Sequence, residues 1–230
     1  MPIPFGYMAP AGPLAGSDCV LLLHMNGADE GTTFVDSSPS GHTVTANGDA
    51  ETSTDQTYFG PSSYYGTQSG SGNLSVADSS DWDFGTDDFT MDCWVRVGVS
   101  NGFIPVLSQG DMYGNDYWWF YIESSRIRFQ FAEGGTARLI IASDADIALN
   151  TWHHVALTRD GSTFRIGVDG DYTGSGSTSH TMPSIADSVY VGKARLSPDV
   201  SFEGYIDEVR IRNGTAEWTS DFTPYTLPYV

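Results

Sequence analysis

The chain has 230 residues, long enough for one large domain with a substantial core. Its 29 Asp and Glu against 10 Lys and Arg give a formal net charge of −19, which argues against nucleic acid as a partner, because such binding begins with cations that neutralise phosphate. The longest apolar runs, such as residues 20–23, fall far short of the ~20 residues that a transmembrane helix needs, so no membrane insertion is expected.

Residues 1–16 differ from the rest of the chain. They contain four of the 11 prolines, alternate apolar residues with Pro and Gly, and carry no charged side chain, so regular strand pairing is not expected. Their start lacks the basic and apolar regions of a secretory signal, and export by that route is not expected if this is the native start. We predict an extended arm that docks on a neighbouring subunit and makes a homo-oligomer; a disordered leader is the alternative.

From residue 17 onward, apolar and polar residues alternate with period two, and no stretch of a dozen residues has the apolar spacing of an amphipathic helix. Clusters of Gly, Asp, Asn and Ser separate the alternating segments, as turns do. The predicted strands are 19–24, 43–46, 62–65, 74–76, 89–97, 104–108, 117–123, 126–132, 152–159, 163–168, 189–191 and 205–212. Short strands at this spacing predict one all-β domain over residues 17–230, a two-sheet antiparallel sandwich of the jelly-roll type.

The two cysteines, Cys19 and Cys93, form no paired C-x-x-C motif, so neither a zinc ribbon nor a disulfide framework is indicated. Each lies inside an apolar, strand-like run. We expect small buried thiols at both positions.

The richest candidate for ligand binding is the pair of predicted strands at 117–123 and 126–132. Alternation places one set of apolar side chains towards the core and leaves a second set on the outer face. Aromatic planes beside Arg and Gln donors suit sugar rings, which need a flat apolar surface and directional hydrogen-bond partners. The alternative is that loops or a subunit interface cover this face. The predicted ligand-binding residues are Tyr117, Trp119, Tyr121, Arg126 and Arg128.

Motifs of catalysis are missing from the sequence. It contains no E-x-D-x-x-E strand of the retaining glucanases, no G-x-S-x-G elbow, no P-loop and no H-E-x-x-H pair. The neighbours His153 and His154 would point to opposite faces of a strand, so at most one could enter a given site. We therefore predict that the protein is not an enzyme and assign no catalytic residue.

Five segments, in order along the chain, resemble motifs of one superfamily. They are L-L-L-H-M-N-G at 21–27, D-S-S-P-S-G at 36–41, F-G-T-D-D-F-T-M-D-C-W-V-R at 84–96, T-W-H-H-V-A-L-T-R-D-G at 151–161 with V-D-G at 168–170, and G-Y-I-D-E-V-R-I at 204–211. Together they resemble the laminin-G-like, concanavalin A-like jelly-roll superfamily, and the wording at 21–48 is most similar to versions found in tailed-phage virion proteins.

The resemblance also implies a structural calcium. Relatives often bind the ion where an Asp of the closing strand meets backbone carbonyls of the opening strand, a position that corresponds to Asp207. Asn26 stands where the opening turn commonly has Asp, which weakens a site built from carboxylates. The predicted metal ligands are Asp207 and Asn26.

These observations lead to three hypotheses for function. The first is a non-catalytic virion surface protein, a capsid decoration or tail component that also attaches to glycan, with other virion proteins and a cell-surface polysaccharide as partners. The second is a free carbohydrate-binding lectin module located outside the cell. The third, with the least support, is a glycan hydrolase.

Overall fold

The computed structural model describes residues 12–67, 71–99, 102–111, 113–196 and 199–230. Its strands are β1 (Cys19–Leu23), β2 (Val44–Asn47), β3 (Glu51–Ser53), β4 (Ser63–Gly66), β5 (Asn73–Val76), β6 (Phe89–Val97), β7 (Phe103–Gly110), β8 (Tyr117–Glu123), β9 (Arg126–Glu133), β10 (Thr136–Ala142), β11 (Trp152–Asp160), β12 (Thr163–Val168), β13 (Asp171–Ser177), β14 (Val189–Val191), β15 (Lys193–Ala194), β16 (Val200–Ser201) and β17 (Gly204–Asn213). A single 3-10 turn, Ser80–Trp82, is the helical element of this part of the chain.

The strands form two large antiparallel sheets. The eight-stranded sheet has the order β13-β12-β11-β6-β17-β4-β3, with β1 also paired to β17, and the seven-stranded sheet has the order β10-β9-β8-β7-β14-β5-β2. β15 and β16 make a separate two-stranded ladder. The predicted all-β, two-sheet jelly-roll sandwich is confirmed. No helix among the described residues is long and apolar enough to span a membrane.

The core lies between the two sheets and is built by the inward residues of each alternating strand. Met91, Cys93 and Val95 of β6 face Phe120 and Phe129 of the other sheet within one buried cluster. Burying these side chains drives the two sheets together, at about 25 cal/mol for each Å² of apolar surface removed from water.

Both cysteines are free and buried, as predicted. Burial raises the pKa of the Cys19 thiol to about 12, so its reactive thiolate form is suppressed at neutral pH.

The sequence prediction missed five strands, β3, β10, β13, β15 and β16, of which β3, β10 and β13 lie at sheet edges. The two longest, β10 (TARLIIA) and β13 (DYTGSGS), leave several side chains exposed, so the alternation that marks a half-buried strand is weak. The glycines of β13 have a packing role: a Cβ on Gly174 would lie 2.0 Å from the carbonyl oxygen of Ala142, and one on Gly176 would lie 2.6 Å from Ile141. The two edges therefore approach closely only because these positions lack side chains.

Strand β17 contains a β-bulge that shapes the outer face of its sheet. Its register against β6 shifts between Asp207 and Arg210, and Glu208 has a positive φ of 50°. A non-glycine residue rarely adopts this conformation within a strand. Consecutive side chains of a strand usually point to opposite faces of the sheet. Because of the bulge, the buried carboxylates of Asp207 and Glu208 do not alternate in this way.

The two ends of the described chain meet. The Ala15 N–H donates to the carbonyl oxygen of Val230, and the Val230 N–H donates to that of Pro13. Residues 1–11 of the predicted arm lie outside the described residues, and its role in assembly stays a prediction.

Candidate functional site

The predicted ligand-binding residues lie on one tight hairpin of the seven-stranded sheet. β8 and β9 pair without a register shift, from Tyr117 opposite Ala132 to Glu123 opposite Arg126. The turn residues Ser124 and Ser125 both have positive φ, 54° and 63°, as a two-residue type I′ turn requires.

The alternation predicted for this hairpin is confirmed. Trp118 and Phe120 point into the inter-sheet core, whereas Tyr117, Trp119 and Tyr121 form a separate cluster on the outer face.

That outer cluster is closed. Phe103 stacks on Tyr121 with ring centroids 4.3 Å apart, Tyr117 stacks on Trp119 at 4.6 Å, and Leu196 packs against the same group. Trp119 is only 1% exposed, so its ring faces protein rather than solvent. For the aromatic residues of this face, the structure therefore agrees with the alternative that neighbouring segments cover them. Their role in ligand binding stays a prediction. We call Phe103, Tyr117, Trp119, Tyr121 and Leu196 the closed cluster.

The two predicted arginines of the hairpin are already engaged by acidic side chains. Arg126 lies 3.7 Å from carboxylate oxygens of both Asp144 and Asp146, and Arg128 lies 3.4 Å from Glu123. Any ligand anion at either position would have to compete with these carboxylates.

Asp207, the predicted metal ligand, is buried and bound by backbone donors. Its Oδ2 accepts hydrogen bonds from the N–H groups of Tyr58 (3.1 Å) and Phe59 (2.9 Å), and its Oδ1 accepts one from Glu208 (2.9 Å). Burial raises the pKa of Asp207 to about 7, against the opposing effect of these N–H donors.

Its surroundings do not fit a resident calcium ion, which needs several oxygen ligands rather than N–H donors. Asn26 is exposed, and the described residues contain no group of three metal-ligating side chains. The calcium prediction has no further support here and stays a prediction.

Asp207 instead positions an aromatic loop on the outer face of the eight-stranded sheet. By holding the backbone of Tyr58 and Phe59, it places Tyr58 flat against Trp94, with ring centroids 3.6 Å apart. Phe59 meets the same indole edge-on at 6.2 Å, and Trp152 meets Tyr58 at 5.9 Å. Tyr58, Phe59 and Trp152 remain partly exposed.

Beside this loop, four side chains form a straight row across four strands. Tyr65 of β4 is directly opposite Tyr205 of β17, Tyr205 is opposite Arg96 of β6, and Arg96 is opposite Trp152 of β11. At about 4.8 Å between neighbouring strands, the row spans about 14 Å. All four side chains are half-buried. We call these four residues the aromatic row.

Contacts within the aromatic row hold its rings and its one cation in place. The rings of Tyr65 and Tyr205 lie 4.9 Å apart, and the Arg96 guanidinium carbon lies 5.7 Å from the Tyr205 ring centroid. Arg96 also donates to the exposed side chain of Asn150 at 3.3 Å. Burial, with Tyr65 and then the charge of Asp55 adding to it, raises the pKa of Tyr205 above its ordinary value. A tyrosine hydroxyl is protonated at neutral pH and can donate a hydrogen bond to a ligand.

The sequence analysis did not select this row. Tyr65, Arg96, Trp152 and Tyr205 come from four separate segments, and each alone is an ordinary outward residue of an alternating strand. The available signal was that each of these segments places an aromatic or cationic residue at an outward position, but the pairing of the strands is a tertiary property.

The other half of this outer face is covered by residues 214–230. Beneath them Asp92 accepts hydrogen bonds from Arg210 Nε (2.8 Å) and the Tyr229 hydroxyl (2.6 Å), and His154 Nε2 lies 3.2 Å away. Burial works to raise the pKa of Asp92, but Arg210, His154 and Tyr229 outweigh it and hold that pKa below its usual value. This network is structural, since its members are buried under the chain's own C-terminal segment.

Comparison with known proteins agrees with the fold. A family model, Laminin_G_3, described as the concanavalin A-like lectin/glucanases superfamily, matches residues 68–219. The chain belongs to this family. A search of curated proteins finds no match.

Among solved structures, domain 4 of AbnA, an extracellular arabinanase of Geobacillus stearothermophilus in complex with arabinotriose, is similar with a TM-score of 0.65 and 14% identity. That similarity covers 86% of this chain and 93% of that domain.

Two toxin structures are also similar. The binding domain of Paraclostridial Mosquitocidal Protein 1 has a TM-score of 0.66 and 14% identity over 85% of this chain. The binding domain of botulinum neurotoxin DC in complex with SialylT has a TM-score of 0.64 and 15% identity over 89% of this chain. The chain spans about half the length of each, 49% of the first and 48% of the second. At these identities the likeness shows the shared fold alone.

Proposed function

We propose that the protein is a non-catalytic glycan-binding module whose ligand lies along the aromatic row. The single observation that carries the proposal is the row itself, in which rings at Tyr65, Tyr205 and Trp152 stand half-exposed on either side of Arg96. Sugar rings stack their C–H faces on aromatic planes, and their hydroxyls take directional hydrogen bonds. The row supplies both kinds of contact on one rigid sheet.

The geometry favours an extended ligand over a single sugar. A row of about 14 Å across four strands offers successive stacking positions, which suits an oligosaccharide. Two of the similar structures support the proposal that the ligand is a glycan, since one is a toxin binding domain in complex with SialylT and the other an arabinanase domain in complex with arabinotriose.

A virion surface role is more specific than glycan binding, and it rests only on the resemblance of the sequence of residues 21–48 to tailed-phage virion proteins. It places the module on a capsid or tail, where it would attach the particle to a cell-surface polysaccharide, and the arm at residues 1–16 would join subunits. A free lectin module outside the cell is the second candidate, favoured by the likeness to domain 4 of an extracellular arabinanase.

A glycan array with the wild-type chain and three variants tests the proposal. Trp152→Ala and Tyr205→Ala remove stacking surface from the row and should each weaken binding about tenfold or more. Tyr113→Ala is the matched control, because Tyr113 is 73% exposed and lies outside the row; it should bind like the wild type. A wild type that binds no glycan, or row variants that bind as well as Tyr113→Ala, would contradict the proposal.

A further inference from the structure

Nearly every basic side chain of this acidic chain lies next to a carboxylate, and one basic side chain at the surface does not. All 10 Lys and Arg lie within the described residues, as do all 29 Asp and Glu. Eight of the ten have a carboxylate oxygen within 4.0 Å. These eight are Arg126, Arg128, Arg138, Arg165, Lys193, Arg195, Arg210 and Arg212.

The remaining two basic residues differ from each other. Arg159 is 2% exposed and donates to the backbone carbonyl oxygens of Gly161 (2.9 Å) and Gly85 (2.6 Å), so it is a structural residue of the interior. Arg96 is half-exposed in the middle of the aromatic row. Within the described residues no carboxylate comes within 4.0 Å of Arg96, and its side-chain hydrogen bond goes to the neutral amide of Asn150.

The lack of a carboxylate partner for Arg96 is unexpected, because the chain is so acidic. Acidic residues outnumber basic ones almost threefold, and two of them lie close by: Glu51 is opposite Tyr65 at the end of the row, and the charge of Asp55 reaches Tyr205. Neither approaches Arg96. A guanidinium that packs against an aromatic ring, as Arg96 does on Tyr205, is partly desolvated. Its planar fork of N–H donors matches a carboxylate in a two-point contact.

We propose that the aromatic row selects glycans that carry a carboxylate, uronic or sialic acids, with that carboxylate bound by Arg96. The inference rests on the proposed glycan-binding function and adds the class of ligand to it. The sugar rings on either side of the acidic unit stack on Tyr205 and Trp152. The guanidinium is ready for this contact, because Tyr205 and Asn150 already hold it on the sheet surface.

Isothermal titration of the full chain with two matched pairs of ligands tests the inference. The first pair is tetragalacturonate and its methyl ester, which share a backbone and differ in charge; the second is sialyllactose and lactose. Wild type should bind the acidic member of at least one pair about tenfold or more tightly than the neutral member, as expected of a charge-assisted hydrogen bond. The pair that shows the preference identifies the source of the carboxylate.

Two substitutions assign that preference to the guanidinium. Arg96→Gln should abolish the preference, and Arg96→Lys should keep only part of it, because an ammonium carries the charge without the fork. If Arg96→Gln does not fold, as judged by its circular dichroism spectrum, the wild-type comparison of acidic and neutral ligands decides alone.

The outcomes separate this inference from the proposed function. Equal binding of acidic and neutral members by the wild type, or a preference that survives in Arg96→Gln, overturns the carboxylate inference. If Trp152→Ala and Tyr205→Ala still weaken glycan binding about tenfold or more in that case, the proposed function stands. A wild type that binds neither pair but binds neutral glycans of the array also overturns the inference, and a blank array overturns both.

Discussion

The two outer faces of the sandwich carry similar residues and differ in what covers them. On the seven-stranded sheet, Tyr117, Trp119 and Tyr121 lie in a closed cluster, and the arginines beside them are paired with carboxylates. On the eight-stranded sheet, the aromatic row is half-exposed and its Arg96 has no carboxylate partner among the described residues. Strand alternation therefore identifies which residues point outward, but it does not say whether outward residues meet solvent.

The covering segments explain the difference. After β14 the chain turns at Gly192 and forms the short β15–β16 ladder, which carries Leu196 onto the closed cluster. On the opposite face residues 214–230 cover the part with Asp92 and Arg210, and the aromatic row lies outside that cover. Each covering segment is held by its own contacts, so the two faces can be tested separately.

The largest expected difference is between two tryptophans. Trp119→Ala should lower the free energy of unfolding by about 3–5 kcal/mol, because a buried indole leaves a cavity. Trp152→Ala removes a ring that is already partly in water and should cost about 1 kcal/mol or less. Urea denaturation of both variants measures the contrast. Equal losses would mean that the closed cluster is open in solution.

A smaller effect is expected from the residue that connects the sheet to the aromatic loop. Asp207→Ala leaves the N–H groups of Tyr58, Phe59 and Glu208 without their acceptor and should lower the free energy of unfolding by about 1–3 kcal/mol. If the aromatic row binds glycan as proposed, binding should also weaken, because Tyr58 contacts Trp152 of the row and would no longer be held in place.

Thermal melting of the wild type with calcium and with a chelator serves as the companion measurement. The Asp207 carboxylate accepts three backbone N–H groups, and N–H donors do not ligate calcium, so equal melting temperatures are expected. A higher melting temperature with calcium that disappears in Asp207→Ala would instead support the calcium prediction from the family resemblance.

The smallest expected effect is a pH dependence at the edge of the same face. The hydrogen bond from His24 Nδ1 to Glu208 Oε1, 2.7 Å, raises the pKa of His24 in the folded state above its ordinary value of 6.5. Protonated His24 therefore contributes stability that is fully present below pH 6.5 and is lost as the pH rises through the folded-state pKa.

The contribution of protonated His24 to the free energy of unfolding should be about 1 kcal/mol or less, since its ion pair with Glu208 is partly open to solvent. Denaturation of wild type and His24→Gln over a pH series measures it as the difference between the two curves. That difference should shrink with rising pH, and a constant or growing difference would be inconsistent with a stabilising protonated His24.

Much of the architecture could be predicted from the sequence. Alternation in the segments that became β6, β8, β9 and β11 places one set of side chains in the core, and the ordered motifs imply the family to which the chain belongs. These are local properties, because strand alternation and turn residues act over a few positions. The same locality explains two of the missed edge strands: β10 and β13 bury too little apolar surface to alternate clearly.

The candidate site was decided by tertiary structure. Tyr65, Arg96, Trp152 and Tyr205 become neighbours only when β4, β17, β6 and β11 pair in one register. Tyr65 and Tyr205, which face each other across two paired strands, are 140 positions apart in the sequence. Whether an outward side chain is covered depends on segments distant in sequence: Leu196 covers Trp119, and Tyr229 covers Asp92. Outward direction follows from the bond geometry of each strand, whereas exposure follows from what the rest of the folded chain packs against it.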